Sequence, residues 1–264
     1  MLTKVSANRL AKARAVFSHA VTHPQWVTRV LGRLYNDVCV GRNTIATIPV
    51  GRLLPAEGAI SLLDLVGEDG NMTTQEVVAL SGLVRSAAPA VILEIGTFNG
   101  NATLQLAANA PEASVVYTLD LPVGSAADPR TEANDEHYVT SALRRRPRYL
   151  DSAYAGKVRQ VYGNSMEVDF LAVCEGRRPD LILIDGGHSY ECVRSDTIRA
   201  LEAVSGNGII VWHDYTTHWP GVFNYLDELS LERPLVRVEG TTLVLHDKSG
   251  KRHEQAKQHG QAAR

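Results

Sequence analysis

Asp185 and His188, three residues apart in LILIDGGHSY, and the adjacent pair His213 and Asp214 in IIVWHDY are the side chains of this 264-residue sequence best suited to move protons and hold cations. Histidine changes charge near neutral pH, so His188 suits proton removal from a hydroxyl. Asp185 and Asp214 are hard oxygen donors; where two strand ends bring them together they can hold magnesium or manganese, with His213 beside them. The plainer readings are local: His188 capping the next helix or bonded to Asp185, and Asp214 capping the turn before Tyr215. A further acid, Glu94, stands in EIGTFNG, where Gly96 and Gly100 let a ligand approach the backbone. That glycine spacing departs from the GxGxxG turn that cradles a pyrophosphate, and a carboxylate inside the turn repels phosphate. It suits a cationic or hydroxyl-rich ligand, such as the amino group of an amino acid.

Strands must deliver these residues to one place. Val91, Ile92 and Leu93 form an apolar run suited to a parallel strand covered on both faces, with Glu94 at its carboxyl end. Thr103, Leu104 and Leu106 then carry the chain into a helix. Val115 to Leu119 ends in Asp120, about two dozen residues after the glycine turn, where a nucleotide-binding sheet places a ribose-binding carboxylate. A turn or helix-capping aspartate before Pro122 is the alternative. Val158 to Tyr162 ends in Gly163, Asn164 and Ser165, which can border an adenine edge or form an ordinary polar turn. Leu181 to Ile184 ends in Asp185, and Gly208 to Trp212 ends in His213 and Asp214. Polar residues thus gather at the carboxyl ends of successive strands, the edge where open parallel sheets bind ligands.

Together EIGTFNGNATLQLA, Asp120, the GNS turn, LILIDGGHSYECVRSD and IIVWHDY resemble a class I S-adenosylmethionine-dependent methyltransferase, over roughly residues 75 to 245. Within that superfamily IDGGHSYE resembles the group that includes macrolide-sugar O-methyltransferases such as the macrocin and mycinamicin enzymes. The resemblance implies a Rossmann-like α/β fold with a seven-stranded, mostly parallel sheet and an antiparallel last strand. It implies that Glu94, Gly96, Thr97, Asn99 and Gly100 form the cofactor turn, that Thr103 lies near the methionine carboxylate and that Asp120 holds the ribose. Gly163, Asn164 and Ser165 would border the adenine, and Asp185 would touch the cofactor. The sugar O-methyltransferases present paired acids at the last-strand position, whereas here His213 precedes Asp214. An imidazole in that place moves preference from magnesium toward manganese, iron or zinc, or leaves His213 as a second base without a metal. Leu235 to Val238 and Thr242 to Leu245 flank Glu239-Gly240 and fit the closing hairpin, after a helix over Gly221 to Leu231.

Composition bounds the rest. At 44% hydrophobic and 21% charged, the chain can bury a full core. No apolar run reaches membrane-spanning length and no secretory signal is evident, so a cytoplasmic location is the expectation. Cys39, Cys174 and Cys192 are scattered, without metal-ligand spacing or a disulfide framework. Residues 1–54 carry eight Lys and Arg against Asp37 alone. Two helices broken near His23-Pro24 are expected there, as part of a basic extension and linker over residues 1–72 that covers the site mouth or a second copy of the chain. Attachment to a membrane surface or an acidic partner is the alternative, while nucleic acid is disfavoured because no recognised module accompanies the charge. A capped helix runs from Thr73 or Thr74 to about Arg85. The interval from Pro122 to Gly156 holds a helix-like run, Thr131 to Leu143, and the cluster Arg144, Arg145, Arg146 and Arg148. The catalytic domain is expected over residues 73–247, and the polar tail over residues 248–264 is expected to be disordered.

The function that emerges is methyl transfer from S-adenosylmethionine to a hydroxyl of a sugar-bearing or polyhydroxylated small molecule, with His188 as base and Asp185, His213 and Asp214 as metal ligands. A metal-independent N-methyltransferase and a non-catalytic S-adenosylmethionine-binding sensor or scaffold are the alternatives.

Overall fold

The computed structural model describes residues 45–65, 67, 70–122, 124–125, 130, 135, 137–138 and 146–262. By its contacts the chain divides into two compact units, and the one that spans Thr44–Tyr215 and Trp219–Arg264 carries the sheet. The expected basic helices lie outside the described residues, as do Arg144, Arg145 and all of Thr131 to Leu143 except Asp135, His137 and Tyr138.

Among the described residues eight strands form one sheet: β1 (Ala46–Ile48), β2 (Val91–Ile95), β3 (Val115–Asp120), β4 (Val158–Tyr162), β5 (Leu181–Ile184), β6 (Ile209–Trp212), β7 (Val236–Val238) and β8 (Val244–Asp247). Their order is β1-β7-β8-β6-β5-β2-β3-β4. Only β8 is antiparallel to its neighbours. The seven-strand expectation is therefore corrected to eight. β1 lies inside the linker and pairs with β7, Ala46 opposite Val236. Three residues bounded by Pro49 carry no alternation to read, so this strand owes its existence to the neighbouring edge of β7.

Among the described residues six α-helices accompany the sheet: α1 (Thr74–Ala87), α2 (Asn101–Asn109), α3 (Phe170–Val173), α4 (Tyr190–Ala203), α5 (Pro220–Glu232) and α6 (Lys251–Ala262). No described helix is long and apolar enough to cross a membrane. Every residue of β2, β5 and β6 is buried, as apolar runs in the middle of a parallel sheet must be. Leu93 and Leu183 are fully buried, and cutting either to alanine would cost about 2–5 kcal/mol. α1 starts at a capping box in which Thr73 accepts from Glu76 N and the Glu76 carboxylate accepts from Thr73 N. The expected hairpin forms, with β7 and β8 antiparallel around Glu239-Gly240.

The tail departs from the expected disorder. Although it lacks an apolar period, α6 is fastened at its start by Arg252, whose Nη1 donates to Asp247 Oδ2 at 2.8 Å, and by the buried Ala256. One buried ion pair and one small contact residue suffice to dock a polar helix, and neither leaves a periodic trace in the sequence.

Between β2's neighbours β3 and β5 the chain reverses direction across the sheet, which opens a crevice at the strand carboxyl ends. The loops there are hung from the strands by one further backbone bond each. Gly163 N donates to Asp120 O at 2.8 Å, Gly96 N to Leu119 O at 2.9 Å, Asp185 N to Ile95 O at 2.9 Å and His213 N to Ile184 O at 3.1 Å.

Candidate active site

Glu94 closes β2 with a fully buried carboxylate. Thr103, one turn into α2, and Thr118 on β3 both donate to its Oε2, while Oε1 has no partner. Burial pushes this acid up to about 8; the threonine hydroxyls oppose that, and the charges of Asp185 and Asp120 add to it. The Asn99 amide in the same turn is buried with Nδ2 also unpartnered. An acceptor and a donor thus stand orphaned inside one glycine turn, an arrangement that calls for a ligand carrying both an ammonium and a carboxylate. Gly96 has φ 91°, and a Cβ there would lie 2.0 Å from Asp185 O. Only glycine allows the turn to close on the next loop.

Asp120, at the end of β3, accepts from Thr97 N and Phe98 N through Oδ2, each at 3.0 Å, and from Leu121 N through Oδ1 at 2.7 Å. It therefore braces the turn. Thr97 Oγ1 lies 2.6 Å from Thr118 Oγ1, and Gln160 Nε2 donates to Thr97 Oγ1 at 3.0 Å. Gly163 joins the cluster through its backbone, whereas the Asn164 Oδ1 caps its own loop, accepting from Met166 N at 3.0 Å, and Ser165 is half-buried.

The second half of the site lies across Gly96, at the ends of β5 and β6. His188 is held on both ring nitrogens: Nδ1 lies 2.5 Å from Asp135 Oδ1 and Nε2 3.0 Å from Asp214 Oδ2. Asp135 Oδ2 also accepts from His188 N at 3.1 Å, and the Trp219 ring stacks on the imidazole with centroids 3.9 Å apart. Burial disfavours the charged ring, but the hydrogen bonds and charges of Asp135 and Asp214 outweigh it and raise His188 to about 10. At neutral pH it is an imidazolium. α5 can begin this close because residue 221 is glycine; a Cβ there would meet His188 O at 2.3 Å.

His213 stands between three acids. Its Nδ1 lies 2.8 Å from Asp185 Oδ1 and 3.2 Å from Asp214 Oδ2, and Nε2 lies 3.5 Å from Glu76 Oε2. Burial opposes its charge, yet Asp185 and Asp214 hold its pKa well above the ordinary value. Asp214 takes φ 61° and, despite burial, is held below the usual carboxylate range by His213 and His188. For Glu76 burial acts upward, but contacts with His213, Thr242 and Thr73 prevail and bring it down to about 2. One ligand atom from each of Asp185, His213 and Asp214 lies within 4.8 Å of the others, close enough to share a divalent cation.

The structure brings together Asp185, His188, His213 and Asp214, which the sequence singles out, and sets beside them three residues that it does not. Asp135 lies in the Pro122 to Gly156 interval with no spacing to mark it. Trp219 precedes α5 and reads as packing. Glu76 does carry a signal, the T-x-x-E capping box, but the box gives no sign that the same oxygen, Oε2, also reaches toward His213.

Residues 93–215, just under half of the chain, match the family described as Methyltransferase domain. No curated protein matches the chain. Among solved structures it is similar to TomG from Streptomyces achromogenes, an O-methyltransferase involved in tomaymycin synthesis, at 17% identity over 68% of this chain and 82% of that one, with a TM-score of 0.47. It is similar to the O-methyltransferase NovP at 16% identity, covering 67% and 80% of the two chains, with a TM-score of 0.49. It is similar also to CalS11, a TDP-rhamnose 3'-O-methyltransferase of calicheamicin biosynthesis, at 19% identity over 65% and 78%, with a TM-score of 0.47. The stretch that carries the strand ends from Glu94 to Asp214 is thus the part of the chain that matches a methyltransferase domain.

Proposed function

We propose that the chain is an S-adenosylmethionine-dependent methyltransferase acting on a hydroxyl of a small molecule, of the sugar-bearing or polyhydroxylated kind, with a divalent ion held by Asp185, His213 and Asp214. The observation that carries the reading is the pairing, across Gly96, of an orphaned zwitterion-binding turn with a histidine–carboxylate cluster. The turn fits S-adenosylmethionine: Glu94 Oε1 suits its ammonium, Asn99 Nδ2 its carboxylate and Asp120 its ribose. Thr103, whose hydroxyl is already given to Glu94, supports the carboxylate from behind.

S-adenosylmethionine, when bound, supplies an activated methyl group on a sulfonium, so the protein's task is alignment and proton removal. A divalent ion, when bound, supplies charge stabilisation for the oxygen that loses its proton. His188 is the proton acceptor. Asp135 and Trp219 fix its ring, and it can accept only after Nε2 has lost its proton to solvent, which leaves that nitrogen open to the acceptor hydroxyl. On transfer of the cofactor's methyl group to the hydroxyl oxygen, Nε2 of His188 would take the hydroxyl proton.

A screen of hydroxylated metabolites with isotopically labelled cofactor tests the acceptor class. On any acceptor found, chelator should stop turnover and manganese should restore it, while Asp214→Ala should bind S-adenosylhomocysteine yet not recover with manganese. Full turnover in chelator together with near wild-type turnover of His188→Ala would sink this mechanism and favour metal-free N-methylation.

A further inference from the structure

The three ligands proposed above include one imidazole, and a neutral imidazole offers a cation one nitrogen. Which nitrogen is offered to the cation depends on the charge that stands beside the other. On His213 the two are clearly divided: Nδ1 points to Asp185 and Asp214, at 2.8 and 3.2 Å, and Nε2 faces Glu76 Oε2 at 3.5 Å. Glu76 is itself fixed. Its Oε2 accepts from Thr73 N and Oγ1 and its Oε1 from Thr242 N and Oγ1, all at 2.8 Å. Four donors, from the start of α1 and from the β7–β8 turn, leave the carboxylate no freedom to swing, so the oxygen presented to His213 is set by the fold.

We propose that Glu76 is the positioning residue of the metal set, holding the proton on His213 Nε2 so that Nδ1 is the nitrogen offered, with Asp185 and Asp214, to a divalent cation. The inference rests on the metal reading above and adds to it a residue that is not a ligand. The resulting donor set, one nitrogen and two carboxylates, suits zinc or manganese better than magnesium.

Zinc chloride titrated calorimetrically into the full chain tests both levels. Wild type should bind zinc, Asp214→Ala should lose most of that binding, and Glu76→Ala should weaken it by roughly 10- to 100-fold, the usual effect of removing the acid behind a ligating histidine. Thr73→Val takes one of the four donors from Glu76 and leaves the carboxylate in place; it should lower the melting temperature and weaken zinc binding far less than Glu76→Ala does. In the zinc-loaded wild type, histidine ¹⁵N shifts should place the His213 proton on Nε2. Zinc on Nε2, unchanged affinity in folded Glu76→Ala, or equal weakening in Thr73→Val would each overturn the assignment while leaving the metal reading intact. Wild-type affinity in Asp214→Ala would instead remove the metal reading, and this inference with it. Should Glu76→Ala fail to fold, the ring tautomer of the wild type decides.

Discussion

The two halves of the site bury acids in opposite ways. At the β2–α2 turn, Glu94 has hydroxyl donors but no cation beside it, and burial raises it to about 8, so it is largely protonated at neutral pH. At the ends of β5 and β6, the buried Glu76 and the half-buried Asp214 have imidazoles as neighbours and remain ionised. Burial pushes all three acids upward; the counter-charge decides. One half already contains its cations in His188 and His213, and the other acquires one only with a ligand. A buried acid that is neutral until a cationic ligand arrives marks a receiving site, whereas one that is already paired marks a pre-set arrangement of charge.

The most damaging change to this division is Gly96→Val. A Cβ 2.0 Å from Asp185 O forces the halves apart, so calorimetry should find no S-adenosylhomocysteine binding. His188→Ala comes next and strikes one half only. Turnover should fall by about 100- to 10,000-fold, the range for loss of a general base, with cofactor binding kept. In wild type the rate should climb with pH as His188, raised to about 10, yields its proton, and the variant should lose that climb.

Glu94→Gln is gentler and tests the receiving half. Glutamine matches the neutral acid in shape, so stability at neutral pH should change little, while S-adenosylhomocysteine binding should weaken by about 1.5–3 kcal/mol, the worth of a charged hydrogen bond. Glu94's folded pKa is raised, so its contribution to stability is full below its ordinary 4.5 and is lost as pH rises through about 8. Melting curves across that window should slope downward in wild type and be flatter in Glu94→Gln. Binding should release a proton, and hence tighten as pH rises toward 8. A glutamine variant with undiminished affinity would contradict a role for the Glu94 charge.

How much of this was legible followed from the range of each interaction. The runs at β2, β3, β5 and β6, and the acids that end them, could be read because strand ends in a parallel sheet converge whatever the intervening helices do. Asp185, His188, His213 and Asp214 accordingly meet as the pattern predicts. β1 and α6 could not be read, since a three-residue edge strand and a helix docked by Arg252 and Ala256 depend on partners distant in sequence or on one local pair. Asp135 and His188 are 53 residues apart, and nothing in either stretch names the other. Reading His188 as a base also passed over its two carboxylate partners, Asp135 and Asp214, which together keep it charged at rest.

The four loops that carry the site each begin with an amide still bonded to the neighbouring strand, at Gly163, Gly96, Asp185 and His213. A loop attached this way has no hinge at its root. Its first amide opens only when the strand beside it opens, so these four protons should exchange with solvent as slowly as those of β2 and β5, in one cooperative unit with the sheet. Inactivation by heat or denaturant should then coincide with loss of the sheet instead of preceding it. Freedom to accommodate different acceptors must come from residues further out along the loops, where sequence can drift without disturbing the floor on which the chemistry stands.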